Sequence, residues 1–307
     1  MHSPILKSTI CFFGFVLLVA IGCNPPKNKQ AADAEDNDPV LFVSNYPLQF
    51  FAEELTGGAI EVIGPDDRVK HPSTWVPDDE IITRMQKADV LFSVGADYEN
   101  WTRIVTYDDE KLLEVGRGLY KSFIEVEGEV HKHGPDGEEH THSGLANAFW
   151  LDPALAKQMV DVMAEKLQEV YPERKDEIAA NRDKLNSKFE KLETLIEETS
   201  PRYSTVFSSD TRYQYLTKRI GIQDVYYFWT GHGKEELPEN AWKILDENLK
   251  VYPASLMLFP VEPKQKTVDQ LGERRIRVLQ MDTIETPNDQ GDYFERMEKV
   301  IRALSIE

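Results

Sequence analysis

The stretch that decides the fold is residues 172–199, PERKDEIAANRDKLNSKFEKLETLIEET. Its large apolar side chains recur at helical spacing, while Lys and Glu fill most of the other positions. This pattern predicts a long amphipathic helix, about 40 Å in length at 1.5 Å per residue. A plain coiled-coil arm would show the same pattern, so the flanking sequence must decide between the two. The apolar positions are Ile178, Leu185, Phe189, Leu192 and Ile196.

Both flanks alternate short apolar runs with helical patterns, which is typical of α/β units. Before the long helix, PVLFVS (39–44) and VLFSV (90–94) predict buried strands, and Asp152-Pro153 predicts a helix start with Asp as the N-cap. After it, TVFS (205–208) and LMLF (256–259) predict strands of a second group. The sequence therefore predicts an α/β fold of two lobes, each a mainly parallel sheet flanked by helices, joined by one long helix.

The first residues have the composition of a secretory signal. Residues 10–22, ICFFGFVLLVAIG, are apolar but too short to span a bilayer. Small residues then precede Cys23, as in a bacterial lipobox, so we expect cleavage before Cys23 and lipidation of its thiol; an ordinary signal peptide is the alternative. Residues 24–38 lack aromatic and large aliphatic side chains and are expected to form a disordered tether.

These patterns divide the chain into five predicted segments. We assign residues 1–23 to a lipoprotein signal peptide, 24–38 to the tether, 39–171 to an N-terminal α/β lobe, 172–200 to the linking helix and 201–307 to a C-terminal α/β lobe.

Composition narrows the classes of function. The net charge of −19 disfavours nucleic acid and anionic lipid surfaces, because phosphate binding needs a basic surface. Acidity by itself is equally consistent with a role in solubility. The two cysteines, Cys11 and Cys23, both precede the tether, so the folded part has no disulfide and no thiolate metal site.

Seven segments match, in order and spacing, the solute-binding lipoproteins of zinc and manganese ABC importers, and the chain resembles that family. The resemblance implies a protein that is not an enzyme, that binds a divalent cation between two lobes outside the cytoplasm, and that delivers it to a permease and its ATPase. The matching segments are VSNYPLQFFAEELTGG (43–58), TWVPDDEI (74–81), KADVLFSVG (87–95), FWLDPALA (149–156), SSDTRYQYLTKRIGI (208–222), LFPVEPKQKTVDQLGE (258–273) and VLQMD (278–282).

The resemblance breaks at the positions where the family places its metal ligands. Three of the four positions hold Ser73, Ala148 and Ser209, and only Asp282 is kept. His71 lies two residues before Ser73 and replaces the first ligand only if the loop carries a two-residue insertion. Zinc prefers imidazole where thiolate is absent, so one carboxylate with two hydroxyls is a poor set of ligands. Asp282 is then either a ligand or a structural residue.

Four of the seven histidines lie in residues 131–142, HKHGPDGEEHTH. His131 with His133, and His140 with His142, form two His-x-His pairs, whose side chains project the same way in an extended segment. The family often carries an acidic, histidine-rich insertion at this place. Low-affinity metal capture or sensing is one interpretation, and a solvated charged loop is the other. Capture would weaken below about pH 6.5, because ligand imidazoles must be neutral.

The leading prediction is a monomeric, lipid-anchored, extracytoplasmic protein that binds Zn2+ or Mn2+ as cargo of an ABC importer. The predicted ligands are Asp282, His71, the four histidines of residues 131–142, and His232 on a loop of the second lobe.

Three alternatives remain open at this point. The same fold binds a metal chelate or small organic solute; the protein is an envelope metal store or adhesin; or it is a hydrolase that uses Ser208 or Ser209 with Asp210 and His232. The hydrolase has the weakest support, since these serines do not lie in a Gly-x-Ser-x-Gly turn.

Overall fold

The computed structural model describes residues 38–126, 130–131, 140–141, 144–226 and 239–306. The predicted signal peptide and most of the tether, including Cys23, lie outside these residues. Within the described part of the chain, no helix combines the length and the apolar character needed to cross a bilayer.

A parallel four-stranded sheet organises the first half of the described chain. Its strands lie in the order β2-β1-β3-β4, with Leu41 opposite Val90 and Leu91 opposite Leu112. The middle strands are apolar except for Ser93, and they are almost entirely buried because both faces of the sheet are covered. The fourth strand was not predicted, since its three residues are only half-buried. The elements are β1 (Val40–Val43), α1 (Tyr46–Thr56), β2 (Glu61–Ile63), α2 (Asp79–Lys87), β3 (Val90–Ser93) and β4 (Leu112–Glu114).

Two short antiparallel pairs follow this sheet. Strand β5 (Glu125–Val126) pairs with β8 (Gly144–Leu145), and between them β6 (Val130–His131) pairs with β7 (His140–Thr141). In the second pair, His131 is the direct partner of His140. The second pair thus brings the backbone at residues 130–131 beside that at residues 140–141.

Two consecutive long helices occupy the middle of the chain. Helix α3 (Pro153–Val170) begins at Asp152, whose side chain accepts a hydrogen bond from the Ala154 amide, as predicted. A short 3-10 turn separates it from α4 (Lys175–Glu198), which has 24 residues. The predicted helix over 172–199 therefore forms, beginning three residues later than the sequence suggested.

A second parallel sheet organises the rest of the described chain, in the order β11-β10-β12-β13. The predicted strands over 205–208 and 256–259 have the observed bounds, and both are fully buried. The elements are β9 (Ser200–Pro201), β10 (Thr205–Ser208), α5 (Gln214–Ile220), β11 (Gln223–Tyr226), α6 (Glu239–Asn248), β12 (Leu256–Phe259), α7 (Gln265–Glu273), β13 (Arg277–Gln280), α8 (Tyr293–Leu304) and β14 (Ser305–Ile306).

Helix α4 is a packed element rather than a free coiled-coil arm. It contacts α1 and α3 from the first half and α8 from the C-terminal end. Four of its five predicted apolar positions are buried, and Ile196 is half-buried at the edge of the same core.

An aromatic cluster fixes α4 between the two halves. The ring of Phe51 on α1 lies 5.8 Å from Phe189 on α4 and 4.8 Å from Tyr293 on α8. Phe294 completes the contact at 4.9 Å from Phe189. Since such pairs contribute about 0.5–1.5 kcal/mol each beyond their buried area, this cluster resists large relative movement of the two sheets.

Candidate functional site

The loops after strands of both sheets meet and form a cleft. The Tyr98 hydroxyl, after β3, donates to the Glu285 carboxylate, after β13, at 2.6 Å. The Tyr46 amide donates to the Glu285 carbonyl at 3.2 Å, and the Trp150 indole donates to the Thr283 carbonyl at 2.8 Å. Ligands of open α/β sheets collect at the carboxyl ends of the strands, so this cleft is the candidate functional site.

The first cavity of the cleft has a volume of about 240 Å³. Ser73, at the first of the four family ligand positions, is on its wall, together with Asn147, which precedes Ala148, and Asp210, which follows Ser209. Arg212 and Glu285 line the same cavity. The loops that carry the family positions therefore come together, although the residues on them have changed.

A second cavity, of about 550 Å³, adjoins the first. His71 and Asp282 both line it, and Arg212 and Glu285 line it as well. One predicted imidazole therefore does share a cavity with Asp282. The Arg212–Glu285 pair lies where the two cavities meet.

Asp282 is committed to an ion pair. Its two carboxylate oxygens accept hydrogen bonds from Nε and a terminal nitrogen of Arg296 at 2.7 and 2.9 Å, and the Ile284 amide adds a third at 2.8 Å. Burial alone would raise the pKa of Asp282, but the Arg296 guanidinium and these hydrogen bonds bring it below its ordinary value. Arg296 is 1% exposed. A cation at Asp282 would have to share or displace these bonds.

The three substituted family positions contribute no strong metal ligand. Ala148 is fully buried and begins a 3-10 turn. The Ser209 hydroxyl is buried and donates to the Leu258 carbonyl at 2.9 Å, which ties it to the neighbouring strand β12. Only Ser73 lies on a cavity wall, where a neutral hydroxyl is a weak ligand.

An arginine occupies the place between the facing loops. Arg212 donates to both oxygens of Asp210 at 2.8 and 2.7 Å, and it also pairs with the Glu285 carboxylate. Its side chain is 6% exposed and that of Glu285 is 4% exposed. Burial alone would lower the pKa of Arg212, but Asp210 and Glu285 raise it well above its ordinary value. The guanidinium is therefore a permanent positive charge held by two carboxylates.

Glu99 is a second buried acid beside the cleft. It accepts hydrogen bonds from the Ser44 hydroxyl at 2.7 Å and from the Val94 and Gly95 amides at 2.5 and 3.1 Å. Burial nevertheless raises its pKa to about 7, because these bonds offset only part of the lost hydration. Glu99 thus holds the loop after β3 in place, and at neutral pH it is only partly ionised.

The serines of the hydrolase alternative have other partners. The Ser208 hydroxyl donates to Asp224, and the Ser209 hydroxyl donates to a backbone carbonyl. Asp210 is paired with Arg212. His232 lies outside the described residues. Among the described residues, neither serine contacts an imidazole, and both hydroxyls already donate to other acceptors.

Of the predicted histidines, His71 lines the described cleft. His131 and His140 occupy paired positions of the short β6–β7 ladder, and His133, His142 and His232 lie outside the described residues. Over the part of the chain that the structure describes, no group of three or more His, Cys, Asp or Glu is arranged to hold a metal ion.

Sequence reasoning missed the residues that dominate the cleft. Arg212 stands in the family-like segment 208–222, and Glu285 follows Asp282 by three residues, but neither has a pattern that marks it as a partner of the other. Tyr98 and Arg296 are equally unmarked. Their partners are distant in sequence, so only the juxtaposition of the loops reveals these contacts.

Comparison with known proteins places this fold in a family. The family model described as zinc-uptake complex component A, periplasmic, matches residues 41–306. The zinc-binding lipoprotein AdcA of Streptococcus pneumoniae is 22% identical over 226 residues, which cover 71% of this chain and 43% of AdcA. The high-affinity zinc uptake system protein ZnuA of Yersinia pestis is 29% identical over 153 residues, covering 44% of this chain and 48% of that protein. The matches thus span about half the length of these curated relatives.

Solved structures show the same fold. The Zn(II)-bound ZnuA-like domain of S. pneumoniae AdcA aligns with a TM-score of 0.68 and 18% identity, covering 87% of this chain and 97% of that one. FpvC of Pseudomonas aeruginosa in complex with Mn2+ gives the same TM-score and coverage at 14% identity. Together with the match over residues 41–306, this fold identifies the chain as a member of the family of periplasmic component A of zinc-uptake complexes.

Proposed function

We propose that this chain is the extracytoplasmic solute-binding component of a zinc-type ABC importer, with a divalent cation as its cargo. The observation that carries the proposal is the match to the periplasmic zinc-uptake component over residues 41–306, together with the cleft between two parallel sheets. Zinc is the first candidate, since the curated relatives are named for zinc; manganese is the second. In this role the protein binds and delivers, and it carries out no covalent chemistry.

The proposal extends to the cellular setting. We expect Cys23 to carry the lipid anchor, the chain to act as a monomer, and a permease with its ATPase to receive the cation. The family description supports a periplasmic location. The anchor and the partners are expectations from the sequence.

We propose that the histidine-rich segment is where the cation is captured. Arg212 occupies the described cleft and Arg296 holds Asp282, whereas His131 and His140 occupy directly paired positions of an antiparallel ladder. His71 with Asp282, and His232, are the remaining predicted ligands, and the same experiment tests His71.

Calorimetric titration of the mature protein with zinc tests this function. We expect saturable binding with a dissociation constant tighter than about 10 μM, that is, roughly 7 kcal/mol. A variant with glutamine at positions 131, 133, 140 and 142 should lose this binding, while His71→Gln, the matched substitution in the cleft, should retain it. Loss in His71→Gln instead would place the ion in the cleft. The absence of saturable binding of zinc or manganese by the unaltered protein would contradict the proposed function.

A further inference from the structure

The cleft contains a buried cationic side chain of the protein, Arg212. Arg212 follows strand β10 and lies where loops from both sheets meet, on the shared wall of the two cavities. It is nine-tenths buried, and Glu285 beside it is equally inaccessible. The position between facing strand ends, where this fold offers a binding site, is therefore filled by a side chain of the protein itself.

The described hydrogen-bond acceptors of the Arg212 guanidinium are carboxylate oxygens. Asp210 accepts two hydrogen bonds from the guanidinium, and one oxygen of Glu285 accepts from a third nitrogen position. The other oxygen of Glu285 accepts from the Tyr98 hydroxyl at 2.6 Å. Two carboxylates carry two negative charges and the guanidinium carries one positive charge, so the group keeps a net charge of −1. A divalent ion in the same place would balance the two carboxylates fully.

The contacts also link the two halves of the molecule. Glu285 belongs to the loop after β13, and Tyr98 belongs to the loop after β3. Arg212 orients Glu285 from one side, and Tyr98 reaches it from the other. The link between the halves is therefore the Tyr98–Glu285 hydrogen bond, and Arg212 holds Glu285 in place for it.

We propose that Arg212 determines the specificity of the cleft: its guanidinium occupies the cation position and excludes a free divalent ion from Asp210 and Glu285. Removal of the guanidinium converts these carboxylates into an oxygen-ligand site. Such a site suits Mn2+ or Mg2+ rather than zinc, which prefers imidazole or thiolate. The inference rests on the proposed function in one respect: the cargo cation binds at the histidine-rich segment and not in the cleft.

The experiment uses Mn2+ and electron paramagnetic resonance, on full-length mature protein that carries glutamine at positions 131, 133, 140 and 142. In this background, Arg212→Met should bind one Mn2+ per chain at least about tenfold more tightly than the parent. Mn2+ should also raise the melting temperature of Arg212→Met and leave that of the parent unchanged. A purely structural role of Arg212 would lower the melting temperature without creating any dependence on the ion.

Two controls make the result specific. Arg212→Lys keeps a positive charge and should bind Mn2+ no better than the parent, whereas the double variant Arg212→Met/Glu285→Gln should lose the acquired binding. If Arg212→Met does not fold without the ion, Arg212→Gln, which keeps a donor near Asp210, takes its place. Mn2+ binding by Arg212→Gln or Arg212→Met that is no tighter than that of the parent would overturn the inference.

The outcome is separate from that of the proposed function. Zinc titration of the protein with its histidines intact reports on capture by the segment 131–142. The Mn2+ measurement is made without those histidines and reports only on the cleft. One proposal can therefore be contradicted while the other stands.

Discussion

The cleft and the histidine-rich segment (residues 131–142) offer different groups to a cation. The cleft carries carboxylates that are already paired with guanidinium groups: Asp210 and Glu285 with Arg212, and Asp282 with Arg296. The segment 131–142 carries four imidazoles, of which His131 and His140 are paired in register. The same fold can therefore carry different groups at the place where its relatives bind an ion. Here the Arg212 guanidinium occupies the cleft, His71 lines one of its cavities, and four of the other histidines lie in residues 131–142.

Of the substitutions that distinguish the cleft from the histidine-rich segment, Asp282→Asn should have the largest effect on the free energy of unfolding. The substitution leaves Arg296, which is 1% exposed, without its charged partner. We expect the free energy of unfolding to fall by about 3 kcal/mol, somewhat less than a fully buried pair would lose, because Asp282 is partly exposed. Chemical denaturation measures this. Zinc affinity should stay within about twofold of the parent value.

The contrary result for Asp282→Asn would be informative. A decrease in zinc affinity of more than about tenfold, in protein that is still folded, would show that Asp282 binds the cargo. The comparison between cleft and segment would then fail.

The stability of the fold and the capture of zinc should depend on pH in opposite senses. Burial raises the pKa of Asp224 to about 7, with a smaller contribution from the charge of Asp210. Between about pH 4 and pH 7 the folded state therefore holds a proton that the unfolded chain has released, so stability falls as the pH rises through this window and levels off above it. Zinc capture by imidazoles should change in the opposite sense, improving as the pH rises through about 6.5.

The variant Asp224→Asn tests this pH dependence. Asparagine resembles the protonated acid and can keep the hydrogen bonds to Ser208 and Thr217. We expect it to stabilise the fold by on the order of 2 kcal/mol at pH 8, since one pKa unit corresponds to about 1.4 kcal/mol and partial exposure reduces the total. At about pH 4, the lower end of the window in which the folded and unfolded parent differ in protonation, the variant and the parent should be nearly equal in urea denaturation. An equal effect at both pH values would contradict the assignment.

A smaller effect is expected for Tyr98→Phe. The substitution removes the hydrogen bond to Glu285 that links the loops of the two sheets, at 2.6 Å in the parent. Because Glu285 keeps Arg212 as a partner, the loss in unfolding free energy should be about 1–2 kcal/mol. Thermal unfolding, with and without zinc, measures this loss of stability. The shift produced by zinc should be the same in both proteins; a larger shift in the parent would link the cleft to zinc binding.

The smallest effect is expected for Ser209→Ala, at the third family ligand position. The variant loses one hydrogen bond to the Leu258 carbonyl, which should lower the unfolding free energy by about 1 kcal/mol. Zinc affinity should not change, because this hydroxyl faces strand β12. A loss of zinc affinity, or of any esterase activity present in the parent, would show that the hydroxyl has a role beyond packing.

Much of the fold was predictable because its signals are local. The apolar spacing of Ile178, Leu185, Phe189 and Leu192 predicted α4, and Asp152-Pro153 predicted the start of α3. Strand β4 was missed, since its short, half-buried run has no distinctive pattern. The loss of ligands at Ser73, Ala148 and Ser209 was also visible in the sequence.

The sequence by itself determined the alternation of strands and helices, the long helix and the absence of strong ligands at three family positions, because each depends on residue type and short-range periodicity. The groups that occupy the cleft in place of those ligands became visible only in the tertiary structure. Arg212 meets Glu285, 73 residues later in the chain, and Glu285 meets Tyr98 from the other sheet. Nothing in local spacing encodes such pairs. They arise because two parallel sheets bring their strand ends together, where buried charges are stable only with partners.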